Sequence, residues 1–243
     1  MFLSAHSAHD ILIYLKDSYD QTAVLLDVDD TLITPVSRTF QSAPTKHLID
    51  EIKRNKHLFP EYEKIISAWR SQRQVRLTDP DWPLVLKDLQ KKGPVFGLTQ
   101  MNTGSLGSIP SMEKWRYEEL TSLGLIFSTH SSPALERPDC KDQPVFYKGI
   151  MMTGATSKAE TLAAFRPYIS ATKFVLIDDR EIHLKNLADY CQKEGIEFTG
   201  ILYTGAGKGP LPQDSVIYEM QKKYLLENHS WLEDDEARKL IEN

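Results

Sequence analysis

The sequence predicts an α/β fold: a Rossmann-like, three-layer α/β/α core around a mainly parallel sheet, carrying a small helical insertion. Three observations point there. Short apolar runs alternate with amphipathic segments along the chain. The runs AVLLD, VFGLT and FVLID each end in a polar residue, Asp27, Thr99 and Asp178, as strands do where a parallel sheet opens onto a ligand site. And 243 residues exceed one average domain only slightly, so a decorated core is expected rather than two equal domains. The core is assigned to 1–34 and 78–243, the helical insertion to 35–77, and a short second insertion to about 129–154.

Taken in order, residues 8–19 carry a helical pattern and AVLLD (23–27) the first buried strand. Residues from about 42 to 76 are polar, basic and helical in pattern. Thr78-Asp79-Pro80 opens a helix that Lys91-Lys92-Gly93 stops, basic residues and a glycine being ordinary C-terminal chemistry. Pro94 leads into VFGLT; after Gly104 and Gly107 a helix is expected from Ser111 to about Leu123, then a strand, LIFS, at 125–128. Residues 129–144 read as loop, and VFYKGIMMTG (145–154) as two short strands or an irregular hairpin. Ser157 starts a helix, FVLID (174–178) is a buried strand, a helix runs to about Glu194, and FTGILY (198–203) is a further strand. The last forty residues are helical in pattern, and Ser230 with Glu233 has capping-box spacing, a structural feature only.

A formal net charge of −5 with no block of like charge argues against nucleic acid as the main partner. No apolar run approaches the roughly 18 to 20 residues of a membrane span. The start, MFLSAHSAHDILIYL, lacks a basic segment followed by a clean apolar one. A cytoplasmic monomer is expected, export being the alternative if a leader has been removed. Cys140 and Cys191 are far apart, with no CxxC and no neighbouring His, and suggest neither a disulfide framework nor zinc.

The chemistry concentrates at the strand ends. Asp27, Asp29 and Asp30 crowd into DVDD, and clustered carboxylates without basic partners are costly unless a cation joins them. Mg²⁺ fits, because it takes hard oxygen ligands and bridges carboxylates to phosphate, which suits Asp27 with Asp178 and Asp179. Asp27 and Asp29, two apart in extended backbone, point to the same side; one can attack while the other moves protons. A strand followed by an acidic turn and a helix cap is the plain alternative for DVDDT, as an Asx turn is for Asp178-Asp179. Lys158 falls in the first turn of its helix, where the dipole disfavours a cation, so an anion site is one explanation and a solvated lysine the other. The Thr99 hydroxyl, with the following amide at Gln100, could bind a phosphoryl oxygen, although threonine also ends strands innocently.

Together, DVDDT (27–31), LT (98–99), Lys158 before a helix and LIDD (176–179) resemble the four motifs of the haloacid dehalogenase superfamily, over roughly residues 20–205. The resemblance implies that Asp27 is the nucleophile and a Mg²⁺ ligand, that Asp29 is the acid/base and ligates through its carbonyl, that Thr99 and Lys158 hold phosphate, and that Asp178 and Asp179 complete the metal side; Gln100 stays a substrate-binding candidate through its amide. An aspartate at position 29 looks like the phosphatase and phosphotransferase members rather than the dehalogenases. The fourth motif departs from many relatives in lacking a glycine before its Asp pair. The run FYKGIMMTG…SKAETLAAF…FVLIDDR…GILYTG is similar to the DUF2608 family, bacterial proteins of unknown function seen largely in intracellular bacteria. The implied activity is Mg²⁺-dependent hydrolysis of a small phosphate monoester through a phospho-aspartate. The alternatives are a phosphotransferase or mutase using that intermediate, or a noncatalytic metal-binding module.

By the same resemblance the 35–77 insertion is a helical cap that gates the site and selects substrate. Its stretch WRSQRQVR is expected to be a solvated helix face, with Trp69 packed inward and Arg70, Arg73 and Arg76 outward; contact with an anionic or aromatic substrate is the alternative. TGAGKG (204–209) lacks the Ser or Thr of a phosphate loop and reads as a turn, Lys148 reads as a surface residue, and His183 as a half-buried helix residue rather than a ligand.

Overall fold

Valine, isoleucine, leucine and phenylalanine fill short runs bounded by turn residues, and these runs form the strands. The computed structural model describes residues 1–16, 21–40, 48–128, 140–206 and 214–242. Its strands are β1 (Phe2–Ala5), β2 (Thr22–Leu26), β3 (Ile33–Pro35), β4 (Val75–Leu77), β5 (Val95–Thr99), β6 (Val145–Tyr147), β7 (Ile150–Met152), β8 (Lys173–Asp178) and β9 (Glu197–Tyr203). Seven of them make one sheet in the order β1-β9-β8-β2-β5-β7-β6, and β3 pairs with β4. Every neighbour in the large sheet is parallel except β6, which runs antiparallel to β7. The fold is therefore mixed α/β with a mostly parallel central sheet.

Helices α1 (Ala8–Tyr14), α2 (Leu48–Arg54), α3 (Tyr62–Gln72), α4 (Trp82–Gln90), α5 (Met112–Ser122), α6 (Lys158–Phe165), α7 (Glu181–Lys193), α8 (Ser215–Asn228) and α9 (Asp234–Glu242) fill the intervals. Alternate strand residues explain the burial. Ala23, Leu25, Phe174 and Leu176 pack with Leu162 and Phe165 of α6 and Leu184, Leu187 and Cys191 of α7, while the alternating Val24, Leu26, Val175 and Ile177 are also buried. Both faces of the strands are thus covered, which is why they read as continuous apolar runs rather than as alternations. The cysteines are free, and burial pushes the Cys191 thiol up to about 11.

The chain divides into two compact units: Met1–Thr34, Leu77–Gly104 and Ser111–Gly207 in one, and Pro35–Arg76, Ser105–Pro110 and Lys208–Asn243 in the other. The first contains the sheet. In the second, α8 brings in Gln221, fully buried, whose Nε2 donates to Leu232 O at 2.9 Å, Asp234 Oδ1 at 3.0 Å and Ser37 Oγ at 3.1 Å. The Thr39 hydroxyl donates to Gln221 Oε1. A buried amide must find partners, and these draw the C-terminal segment, expected with the core, into the unit of 35–76.

Three local expectations are corrected. Residues 125–128 are not a strand. Gly97 to Thr99 pair with β7, and Ser128 N reaches Val95 O at 2.9 Å only at the far end of β5, so no ladder forms. The Ser230–Glu233 capping box is absent because Ser230 Oγ donates to Gln72 Oε1 at 2.9 Å and Glu233 accepts from Gln74 N at 2.7 Å. Arg70 and Arg73 are not solvated: both are buried, with the Arg73 guanidinium 4.7 Å from the Trp69 ring centroid. Trp69 itself packs inward, 5.4 Å from the Phe40 ring, and Arg76 is exposed. The 145–154 segment is a tight hairpin, β6 and β7 joined by Lys148 (φ 49°) and Gly149 (φ 83°). Two left-handed residues match the twist of the strands. A side chain at Gly149 would sit 2.5 Å from Ser128 O, so only glycine fits there. Residues 129–139 of the second insertion, 41–47 of the first and 207–213, which include part of TGAGKG, lie outside the described residues. Among the described residues no helix is long and apolar enough to cross a membrane.

Candidate functional site

Strand register sets the geometry. β8, β2 and β5 are neighbours, Leu26 pairing with Ile177 on one side and Gly97 on the other. Asp27, Asp178 and Thr99 therefore finish adjacent strands at one edge, and Asp27 N donates to Ile177 O at 2.9 Å. Beyond Asp27 the chain turns sharply. Asp30 adopts φ 62°, its amide donates to Ile33 O at 2.7 Å and its carboxylate accepts from Thr34 Oγ1 at 3.0 Å. A left-handed aspartate is tolerated because its short side chain bonds locally. Trp82 Nε1 donates to Thr31 O at 3.1 Å and pins the turn to α4.

Lys158 arrives from the first turn of α6. Ser157 caps that helix: its Oγ accepts from Glu160 N at 3.2 Å, and Glu160 Oε2 accepts from Ser157 N at 2.8 Å. That reciprocal cap was legible in the sequence. Lys158 is buried rather than solvated, and its Nζ donates to Asp27 Oδ1 and Asp178 Oδ2 at 2.5 Å each. We expect Ser157→Ala to cost about 1 kcal/mol of stability, read from urea unfolding; an unchanged midpoint would show that the cap does not set this turn.

Burial raises Asp27 well above the ordinary carboxylate range; Lys158 opposes the shift, and Asp178 and Asp179 add to it. For Lys158, burial disfavours the charge, but Asp27 and Asp178 outweigh it and hold the ammonium above the usual lysine value. Burial also acts against ionised Asp178, yet Lys158 and His183 outweigh it and keep this carboxyl below the usual range. One lysine thus serves two buried carboxylates, and Asp178 has the added help of His183, whose Nδ1 lies 3.1 Å from Asp178 Oδ2.

Asp27, Asp178 and Asp179 each present a carboxylate oxygen within 4.8 Å of the other two. Asp29 stands outside this trio: its Oδ2 accepts from Arg116 Nη2 at 2.8 Å. Thr99 is buried, and its Oγ1 has no hydrogen-bond partner among the described residues. Gln100, the next residue, is exposed. Asp27, Lys158, Asp178 and Asp179 are brought together directly. Two participants were missed by sequence reasoning. Arg116 looked like any charged helix residue, and the i,i+3 pair it makes with Glu119 is a surface pattern. His183 was read as half-buried, which it is, but not as the partner of Asp178.

The family described as "Protein of unknown function (DUF2608)" matches residues 4–238. The chain belongs to the DUF2608 family. This DUF2608 protein is 30% identical over 234 residues to an uncharacterized protein of Rickettsia prowazekii (strain Madrid E), covering 91% of this chain and 84% of the relative. No solved structure matches it. Every residue of the site lies inside the family match, and neither description carries an activity, so the chemistry of this DUF2608 site rests on its residues.

Proposed function

We propose that the protein hydrolyses a small phosphate monoester with Mg²⁺, through a phospho-aspartate formed on Asp27. The resemblance of its four motifs to the haloacid dehalogenase superfamily suggests the reaction. The observation that carries the reading is a buried ammonium held between the Asp27 and Asp178 carboxylates, at the strand edge where the Thr99 hydroxyl is buried without a partner. A buried unpaired donor is costly, and a phosphoryl oxygen would satisfy it.

Asp27 attacks phosphorus, forming an O–P bond as the bond to the substrate's alkoxide breaks, and Asp29 protonates that alkoxide. Asp29, now a carboxylate, takes a proton from water. The water oxygen attacks phosphorus, releasing inorganic phosphate and the Asp27 carboxylate. Lys158 and Thr99 hold phosphoryl oxygens, with the Gln100 amide that follows Thr99 as a further donor, and the resemblance gives the insertion 35–77 the role of a cap that selects substrate. The donor set, three close carboxylates and no thiolate, suits a hard divalent cation. Asp27, Asp178 and Asp179 would hold Mg²⁺ through side chains, and Asp29 through its carbonyl; when bound, the ion offsets the clustered negative charge.

The test is phosphate release from an aryl phosphate and a panel of metabolite monoesters, with Mg²⁺ and with chelator. Release that needs the metal is expected. Silence across the panel from folded protein would favour a noncatalytic module, and transfer to an added alcohol in preference to water would favour a phosphotransferase.

A further inference from the structure

Arg116 is among the largest fully buried side chains of the protein and lies on α5, outside all four motifs in sequence. Taking a guanidinium out of water is expensive unless its partners repay the cost. Here Nη2 donates to Asp29 Oδ2 at 2.8 Å and Nη1 to Glu119 Oε2 at 2.6 Å, and the guanidinium carbon lies 5.0 Å from the Trp115 ring centroid. The two partners differ. Glu119 is 10% exposed at its side chain, whereas Asp29 is 42% exposed. Glu119, three residues on in the same helix, fixes the arginine from below, and the arginine in turn holds one oxygen of a carboxylate that remains open to solvent.

The helix is itself anchored next to β5. Glu113, fully buried, accepts from Gly104 N at 2.6 Å and from Ser111 Oγ at 2.9 Å, which ties the loop after Thr99 to the start of α5. Nothing about packing alone requires an arginine at 116; an apolar side chain would fill the space without desolvating a charge. What an apolar side chain could not do is orient Asp29.

We propose that Arg116 is a positioning residue for Asp29: it fixes one carboxylate oxygen so that the other, Oδ1, carries the proton to and from the reacting oxygen. This rests on the phosphatase reading above and adds to it a residue that acts only through Asp29. Locking a rotamer of the acid/base removes a freedom that would otherwise be spent in every turnover.

The consequence depends on the leaving group. An alkyl alkoxide needs a proton as it departs, and nitrophenolate does not, so damage to a general acid falls on alkyl esters. The experiment measures kcat/KM with Mg²⁺ for an alkyl phosphate and for p-nitrophenyl phosphate, in wild type, Arg116→Met, Arg116→Lys, Asp29→Asn and the double variant Arg116→Met with Asp29→Asn. Arg116→Met is expected to lose about 10²-fold on the alkyl ester and less than about tenfold on the aryl ester. The double variant should be no worse than Asp29→Asn, because residues acting as a unit are non-additive, and Arg116→Lys should recover part of the loss. Equal losses on both esters, or losses that multiply in the double variant, would overturn the inference. Should Arg116→Met fail to fold, the same comparison is made with Arg116→Lys. Wild type no faster than Asp27→Asn would bring down the phosphatase reading itself, and this inference with it, so the two failures are told apart by the parent protein.

Discussion

Asp27→Asn is expected to lower Mg²⁺-dependent phosphate release by at least ~10³-fold, since an amide cannot form the acyl phosphate and no neighbouring group replaces it. The same change should stabilise the metal-free protein. Asp27 is held well above its unfolded value by burial; a carboxyl raised in the folded state releases its proton less readily there than in the unfolded chain. Its ionised form therefore costs stability at neutral pH, and the cost fades as pH falls to where both states are protonated. In chelator at neutral pH the Asn variant should melt above wild type, and this gap should close on acidification. Retained turnover would remove Asp27 from the mechanism, and a lower melting temperature would mean that its carboxylate supports the fold.

Lys158→Met is the second large effect. Nζ bonds Asp27 and Asp178 together, and its loss leaves two buried carboxylates facing each other. Breaking a buried pair by removing one partner costs roughly 3–5 kcal/mol. The deficit should be largest in chelator at neutral pH, shrink as pH falls and the carboxyls take up protons, and shrink again with added Mg²⁺, which binds the folded form. Urea unfolding under the three conditions measures it. A variant as stable as wild type in chelator would show that the lysine is not what holds these groups.

Much of the site was legible because it is written locally. Asp27, Thr99 and Asp178 each end an apolar run, and a strand's length and termination are set by its own residues. Ser157 and Glu160 announce a helix start, which fixes Lys158 in the first turn. The expectation of a solvated Arg70 and Arg73 failed for the converse reason. WRSQRQVR has a helix period and many charges, but nothing in it says which face meets Trp69 and Phe40. Residues 125–128 had strand composition; β7 occupied the place beside Gly97 to Thr99, a competition between segments far apart in sequence. β1 was passed over because FLSA has no pattern of its own, and four residues become a strand only when β9 offers an edge.

Arg116 shows the limit most sharply. Its partner Asp29 lies 87 residues away, and its near neighbour Glu119 gives the spacing of a common surface pair. The grouping of 208–243 with 35–76 likewise depends on Gln221 meeting Ser37 and Thr39. Period, strand ends and helix caps are properties of a few consecutive residues, and they established the α/β class, the parallel sheet and the acidic strand edge. Which charged side chains are taken out of water, and against what, is decided by contacts between distant segments, because desolvation is repaid only by a partner that the chain brings from elsewhere.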